Sequence, residues 1–141
     1  MKPSIMFVCK HNSRRSQMAE GFTKVRGGYL VSVTSAGLDV DQVDPLTVQV
    51  MDEVGIDIRD QTSKPLTAFH PEQFDAVISL CGCGANLPEA WVLRDIFEDW
   101  QLDDPAGQSI EVFRQVRDEI EQRVEKLLHK MIWGEESLGT D

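Results

Sequence analysis

The stretch Ser4-Ile-Met-Phe-Val-Cys9 holds four apolar residues in succession and shows no helical period. A strand that is apolar on both faces needs cover on both, which is the condition of a buried strand in a parallel sheet. Parallel neighbours cannot be joined by a tight turn, so longer connections, usually helical, must cross between them. The chain continues in that way. From Arg15 the apolar positions Met18, Ala19, Phe22 and Val25 follow helical spacing, and Gly27–Gly28 stops the run.

The run YLVSVTSAGL, starting at Tyr29, reads as a second β-rich segment that breaks at Gly37, and Pro45 opens a helix through Val54, closed by Gly55. A polar connection over 59–72 leads to a third strand, FDAVISL, ending at Cys81 in the turn-like CGCGANLP. RDIFEDW predicts a short fourth strand and DDPAG a loop. Ile110, Phe113, Val116, Ile120, Val124, Leu127 and Leu128 form the apolar stripe of a long closing helix. Residues 132–141 are expected to fray, leaving 1–131 as one domain without repeats or linkers.

Strands alternating with helices imply an α/β fold: a single open parallel sheet of about four strands with right-handed crossovers and helices on both faces. Ligand sites in such sheets lie beyond the carboxyl ends of the strands. Cys9, Cys81 and the Asp-Pro loop each follow a strand, so the order of elements gathers all three on one edge.

The chain is acidic, with 14 basic against 24 acidic residues in 141 and a formal net charge of −10. That balance repels nucleic acid and anionic membranes at long range. No apolar run approaches the roughly 20 residues needed to span a bilayer. The apolar run Ile5–Val8 is too short for a secretory signal, and Cys9, Cys81 and Cys83 are too few, and odd in number, for a disulfide scaffold. The expectation is a cytoplasmic protein whose thiols serve packing or chemistry.

Against that acidity, the segment Lys10, His11, Asn12, Ser13, Arg14, Arg15, Ser16 concentrates positive charge directly after Cys9. Between a strand and a helix such a backbone can curl so that successive N–H groups point inward, a nest for a tetrahedral dianion at the positive end of the helix dipole. Arg15 can clamp two oxygens with its planar fork, as a lysine could not. The nest and Arg15 favour the thiolate form of Cys9, which the Ser16 hydroxyl can hydrogen-bond. Two arginines at a helix N-terminus oppose the dipole unless an anion joins them, which argues against a merely buried cysteine beside surface charge. No GxxxxGK[ST] occurs, so the loop is not a nucleotide P-loop.

VCKHNSRRSQMAE, followed by TSAG and then DDP, resembles the low-molecular-weight protein tyrosine phosphatase superfamily and, more narrowly, the arsenate reductases built on that fold. The resemblance runs from the first strand to the closing helix and implies the strand order 2-1-3-4. By motif position it makes Cys9 the nucleophile, Arg15 the oxyanion clamp, Asn12 the residue that shapes the loop and Ser16 the support of the thiolate. Asp104, immediately before Pro105, becomes the general acid, with Asp103 as second choice. Some reductases hold a potassium ion beside the loop, and the matching positions are Asn12, Glu20, Ser35 and Lys64. Lys64 stands where those members have an aspartate. Its ammonium is expected to replace the ion and pair with Glu20, so no potassium requirement is expected.

Phosphatase and reductase both begin with Cys9 attacking a tetrahedral oxyanion while Asp104 protonates the leaving oxygen. A phosphocysteine can only be hydrolysed, whereas an arsenocysteine can accept two electrons if another thiol attacks the Cys9 sulfur. Cys81 ends the strand that lies beside the Cys9 strand in the family's sheet order, and neighbouring strands are about 4.8 Å apart. Gly82 and Gly84 would let its loop move. Cys83 then assists the relay or is a bystander. Phosphatases of this fold follow Asp-Pro with aromatics, but Ala106-Gly107 follows here, which suits a small inorganic anion.

Thioredoxin-coupled reductases carry two well-separated thiols after the third strand. Here Leu87 and Pro88 stand near the place of the distant one, and Cys83 is two residues from Cys81. The arrangement resembles the cyanobacterial type, so glutathione and glutaredoxin are favoured over thioredoxin as donors of electrons, with no tightly bound cofactor. Arsenate is the expected substrate, with phosphate or sulfate as competing oxyanions. The alternatives are a tyrosine phosphatase and a non-catalytic oxyanion or redox sensor that would not need Asp104. Copper or zinc on three thiolates lacks paired C-x2-C spacing and a fourth ligand.

Overall fold

The computed structural model describes residues 2–81 and 86–133. Strands β1 (Ser4–Cys9), β2 (Ser32–Gly37), β3 (Ala76–Ser79) and β4 (Ile96–Asp99) form one parallel sheet in the order β2-β1-β3-β4. Helices α1 (Arg15–Gly27), α2 (Pro45–Glu53), α3 (Glu89–Val92) and α4 (Ile110–Leu128) connect and cover it. The α/β class and the strand order are those expected from the sequence.

β1 is apolar throughout because it is central. Its pleat sends Ile5, Phe7 and Cys9 into a core shared with Met18 and Phe22 of α1, Val50 and Met51 of α2, and Phe113, Ile120 and Val124 of α4. Met6 and Val8 enter a second core on the opposite face with Leu66, Phe74, Val77 and Trp91. Helices lie on both faces, but unequally. The second face is closed by the four-residue α3 and by 3-10 turns at Leu66–Ala68 and Pro71–Gln73, pieces too short to show a period in sequence. Buried Arg117 ties α4 to α2, donating to the Val50 carbonyl (3.0 Å) and to Glu53 (2.8 Å).

Several boundaries differ from expectation. Tyr29 and Leu30 belong to a 3-10 turn, Gly28–Leu30, rather than to β2; Gly28 bends the chain there at φ +55°, and Tyr29 is 84% exposed. β3 and β4 are four residues each, shorter than their apolar runs. After α4 the chain stays helical through a π turn, His129–Trp133, with Met131 and Ile132 packed on the main core, so the expected boundary at 131 falls inside it. Residues 134–141 lie outside the described residues. No helix among the described residues is long and apolar enough to cross a membrane.

Candidate active site

Between β1 and α1 the loop is fastened from outside through its carbonyls. Leu38 N and Asp39 N donate to the carbonyls of Cys9 (3.2 Å) and Lys10 (2.7 Å), and Asp44 N to that of Ser13 (3.1 Å). Ser63 Oγ donates to the His11 carbonyl (3.0 Å), and the buried Gln17 Nε2 to that of Asn12 (2.9 Å). The carbonyls of residues 9–13 are all engaged from outside the loop, as in a nest whose N–H groups serve an oxyanion at a helix N-terminus. Gly37, at the end of β2, makes room for the loop, since a Cβ there would stand 2.9 Å from Asn12 N and 2.6 Å from the Asp39 carbonyl oxygen.

Asn12 holds the loop's shape. It is fully buried and sits at φ +52°, a left-handed conformation that asparagine tolerates better than most side chains. Its Nδ2 donates to Ser16 Oγ (2.7 Å) and Ser35 Oγ (2.9 Å), while its Oδ1 accepts from Lys64 N (2.8 Å). Ser16 Oγ, accepting from Asn12, also lies within hydrogen-bond distance of Cys9 Sγ, at 2.9 Å. In the other direction Ser35 Oγ donates to Glu20 Oε1 (2.5 Å). One chain of hydrogen bonds therefore links the sulfur to a buried carboxylate.

That carboxylate is 4% exposed and is neutralised by lysines: Lys24 Nζ at 2.7 Å from Oε2 and Lys64 Nζ at 3.6 Å from Oε1. Burial pulls the Lys64 ammonium below the usual lysine range, against the opposing pull of Glu20.

Cys9 is a free thiol, 3% exposed, in a small pocket lined also by His11, Ser13, Arg14, Arg15 and Asp104. Arg15 is aimed across it. Nη1 is fixed on the carbonyls of Leu102 (2.8 Å) and Leu80 (3.3 Å), Nη2 lies 3.6 Å from Asp104 Oδ2, and Nε is buried without a hydrogen-bond partner. A buried guanidinium N–H left open beside a thiol is a donor waiting for an anion. A larger cavity of about 660 Å³ between β4 and α4, lined by Glu98, Trp100, Lys126 and Lys130, contains neither a thiol nor the pocket arginine.

Asp104 enters the pocket from the loop after β4, whereas Asp103 does not line it. Burial raises the proton affinity of Asp104, but the Ala106 N–H, Arg15 and Arg14 outweigh it and hold the carboxyl below its ordinary value. Arg14 is occupied within the protein: Nε stands 3.1 Å from Asp104 Oδ1 and Nη1 3.0 Å from Asp44 Oδ2. The anions that offset this cation at the helix start are thus the chain's own. Lys10 is exposed.

Cys81 follows β3, the neighbour of β1, and is disulfide-bonded. Cys83 lies outside the described residues. The structure adds Gln17, Lys24, Asp44 and Ser63 to the site. Only Lys24, four residues after Glu20 on a helix, had a sequence signal that could have found it.

A thiol on a strand–loop–helix turn, with an arginine and an aspartate lining the same pocket, is the layout of a thiol-based oxyanion site, and the chain belongs to the family described as low molecular weight phosphotyrosine protein phosphatase, matched over residues 4–138. Within it, the chain is 58% identical over 127 residues to the glutaredoxin arsenate reductase of Synechocystis, covering 90% of this chain and 97% of that protein. It is 41% identical over 130 residues to arsenate reductase 1 of Bacillus cereus, covering 89% and 93%. A solved arsenate reductase in the phosphate-binding state matches the fold with a TM-score of 0.88 at 57% identity, covering 93% of this chain and 99% of that one.

Proposed function

We propose that this chain reduces arsenate to arsenite, with glutathione and glutaredoxin as the source of electrons. Cys9 sulfur attacks arsenic and forms an S–As bond, and an arsenate oxygen leaves as water after taking a proton from Asp104. The loop N–H groups and Arg15 hold the remaining oxygens as charge moves between them. Cys81 thiolate then attacks Cys9 Sγ. The electrons of the S–As bond stay on arsenic, which departs as trivalent arsenite, and a Cys9–Cys81 disulfide remains. Cys83 attacks Cys81, freeing Cys9, and two equivalents of glutathione, through glutaredoxin, reduce the disulfide so formed.

The observation that carries this reading is the contrast between the thiols. The pocket cysteine is free, while Cys81, just beyond the adjacent strand, is disulfide-bonded. Oxidation can therefore reside at Cys81 with the nucleophile spared, as a relay requires and a hydrolase does not. The small pocket, lined among the described residues by no phenylalanine, tyrosine or tryptophan, supports an inorganic anion over an aryl phosphate. Glutaredoxin coupling is supported by the name of the relative at 58% identity. Lys24 and Lys64 supply the positive charge at Glu20, which supports a site that works without potassium. A reducing, cytoplasmic setting goes with such a donor.

The test is to pre-reduce the protein, remove external thiol, add excess arsenate and count arsenite formed and thiols lost per chain. One arsenite for two thiols is the expected result, with turnover once glutathione and glutaredoxin are supplied. Hydrolysis of an aryl phosphate with no arsenite under either condition makes the chain a phosphatase instead. Arsenate binding with neither reaction makes it a sensor.

A further inference from the structure

Arg14 lines the oxyanion pocket, yet its guanidinium is divided between two carboxylates from distant parts of the chain, Asp44 and Asp104. Asp44 is the N-cap of α2, and its two oxygens have separate partners. Oδ1 accepts from Leu46 N (2.9 Å) and caps the helix, while Oδ2 takes Arg14. The residue is anchored by its own N–H on the Ser13 carbonyl and by Pro45 after it. Asp104 is similarly divided: Oδ1 accepts from both Arg14 Nε and Ala106 N (each 3.1 Å), and Oδ2 faces Arg15 at 3.6 Å. Among the described residues, the charged and titratable groups around Asp104 are Arg14 and Arg15 from the start of α1, Cys9 and His11 in the same pocket, and Asp103 beside it in the chain. Asp44 reaches it only through Arg14.

A cation held by one carboxylate alone would lock that carboxylate in its charged form, and one held by none would be free to turn onto the substrate. We propose that Asp44 is a positioning residue for the reaction. By holding one end of Arg14 it keeps that guanidinium off the bound oxyanion and limits its grip on Asp104, so that Asp104 is placed at the pocket and still takes up the proton it must donate. This rests on Asp104 being the acid, as proposed above. The dianion itself completes the hand-over, because its charge engages Arg15 and favours a proton on the carboxyl opposite.

The two ends of the bridge make opposite predictions. Asp44→Asn keeps the helix cap, since asparagine caps as well as aspartate, and removes only the charge. Arg14 then falls wholly to Asp104, whose titration moves to lower pH. Arg14→Gln removes the cation, and the titration of Asp104 moves to higher pH. Carboxyl carbon NMR of the full chain reads both shifts, with the Asp104 signal assigned by its loss in Asp104→Asn. In turnover with arsenate, Asp44→Asn loses roughly tenfold in kcat at neutral pH, part of the ~10²–10⁴ a general acid supplies, with KM unchanged. The high-pH limb of kcat follows the NMR midpoints in both variants.

Shifts in the same direction, or none, with Asp104→Asn impaired overturn the divided bridge and leave the acid reading standing. A raised KM with unchanged kcat in Arg14→Gln makes Arg14 an oxyanion ligand and overturns the proposal. Opposite shifts with a fully active Asp104→Asn enzyme overturn the acid reading and this proposal with it.

Discussion

Replacing Asn12 with alanine strikes the anion loop where most of its bonds meet. Three hydrogen bonds of a fully buried side chain are lost, those with Ser16, Ser35 and the Lys64 N–H, worth about 1 kcal/mol each. Alanine must also hold φ +52°. That left-handed conformation costs about 1–2 kcal/mol for a residue with a Cβ and no local bond to offset it. The expected loss is about 4–5 kcal/mol, a large share of the ~5–15 kcal/mol by which ordinary domains are stable.

Glycine at the same position separates the two contributions. It loses the same bonds and escapes the strain, but its more flexible unfolded chain gives back about 0.4–1 kcal/mol. The glycine variant should therefore be the more stable of the two by about 0.5–1 kcal/mol. Urea unfolding followed by far-UV circular dichroism, with an unchanged slope against denaturant, measures both. Repeating it with phosphate reads the pocket itself, because a ligand that binds only the folded chain raises the midpoint. A loss below about 1 kcal/mol in both variants would mean that the network does not hold the loop. An alanine variant more stable than the glycine one would remove the strain from the account.

Gly37→Ala places a methyl against the backbone of Asn12 and Asp39, neither of which can rotate away. It should cost about 1–3 kcal/mol and abolish phosphate stabilisation in the same denaturation experiment, whereas retained phosphate protection would show that the loop can shift without losing its shape. Lys64→Asp sets a second carboxylate against buried Glu20 in place of the ammonium now 3.6 Å away. The variant should acquire a dependence of melting temperature on potassium at constant ionic strength, absent from the natural chain; insensitivity in both would remove Lys64 from the role of internal cation.

Much of the frame was legible because its signals are local. β1 is apolar on both faces since it lies between two cores, and α4 carries a helical stripe because it turns one side to the main core, whereas α1 is buried all round from Arg15 to Thr23 and Val25, in its apolar pattern, is 58% exposed. α3 and the 3-10 turns were not legible, since three or four residues do not complete a period. Tyr29 has the β propensity of a strand residue, but the bend at Gly28 leaves it in solvent.

The candidate site divides in the same way. The Cys9–Arg15 loop is contiguous, so the residue types and spacing alone pointed to an anion cradled at a helix start. Glu20, Ser35 and Lys64 are reached only through resemblance, for nothing local ties them to Cys9, and for Asp104 the order of strands brings its loop to the Cys9 edge while only resemblance gives its role. An anion must accompany Arg14 and Arg15 at the helix start, but local charge does not say whose anion it is. For Arg14 it is Asp44 and Asp104, 30 and 90 residues away along the chain. The sequence by itself determined the parallel sheet and the thiol–arginine loop, because burial period and backbone curl act over neighbouring residues. Which carboxylate meets which cation was decided only by the tertiary structure, since that pairing depends on distances that exist once β1 and the loops after β2 and β4 share one edge.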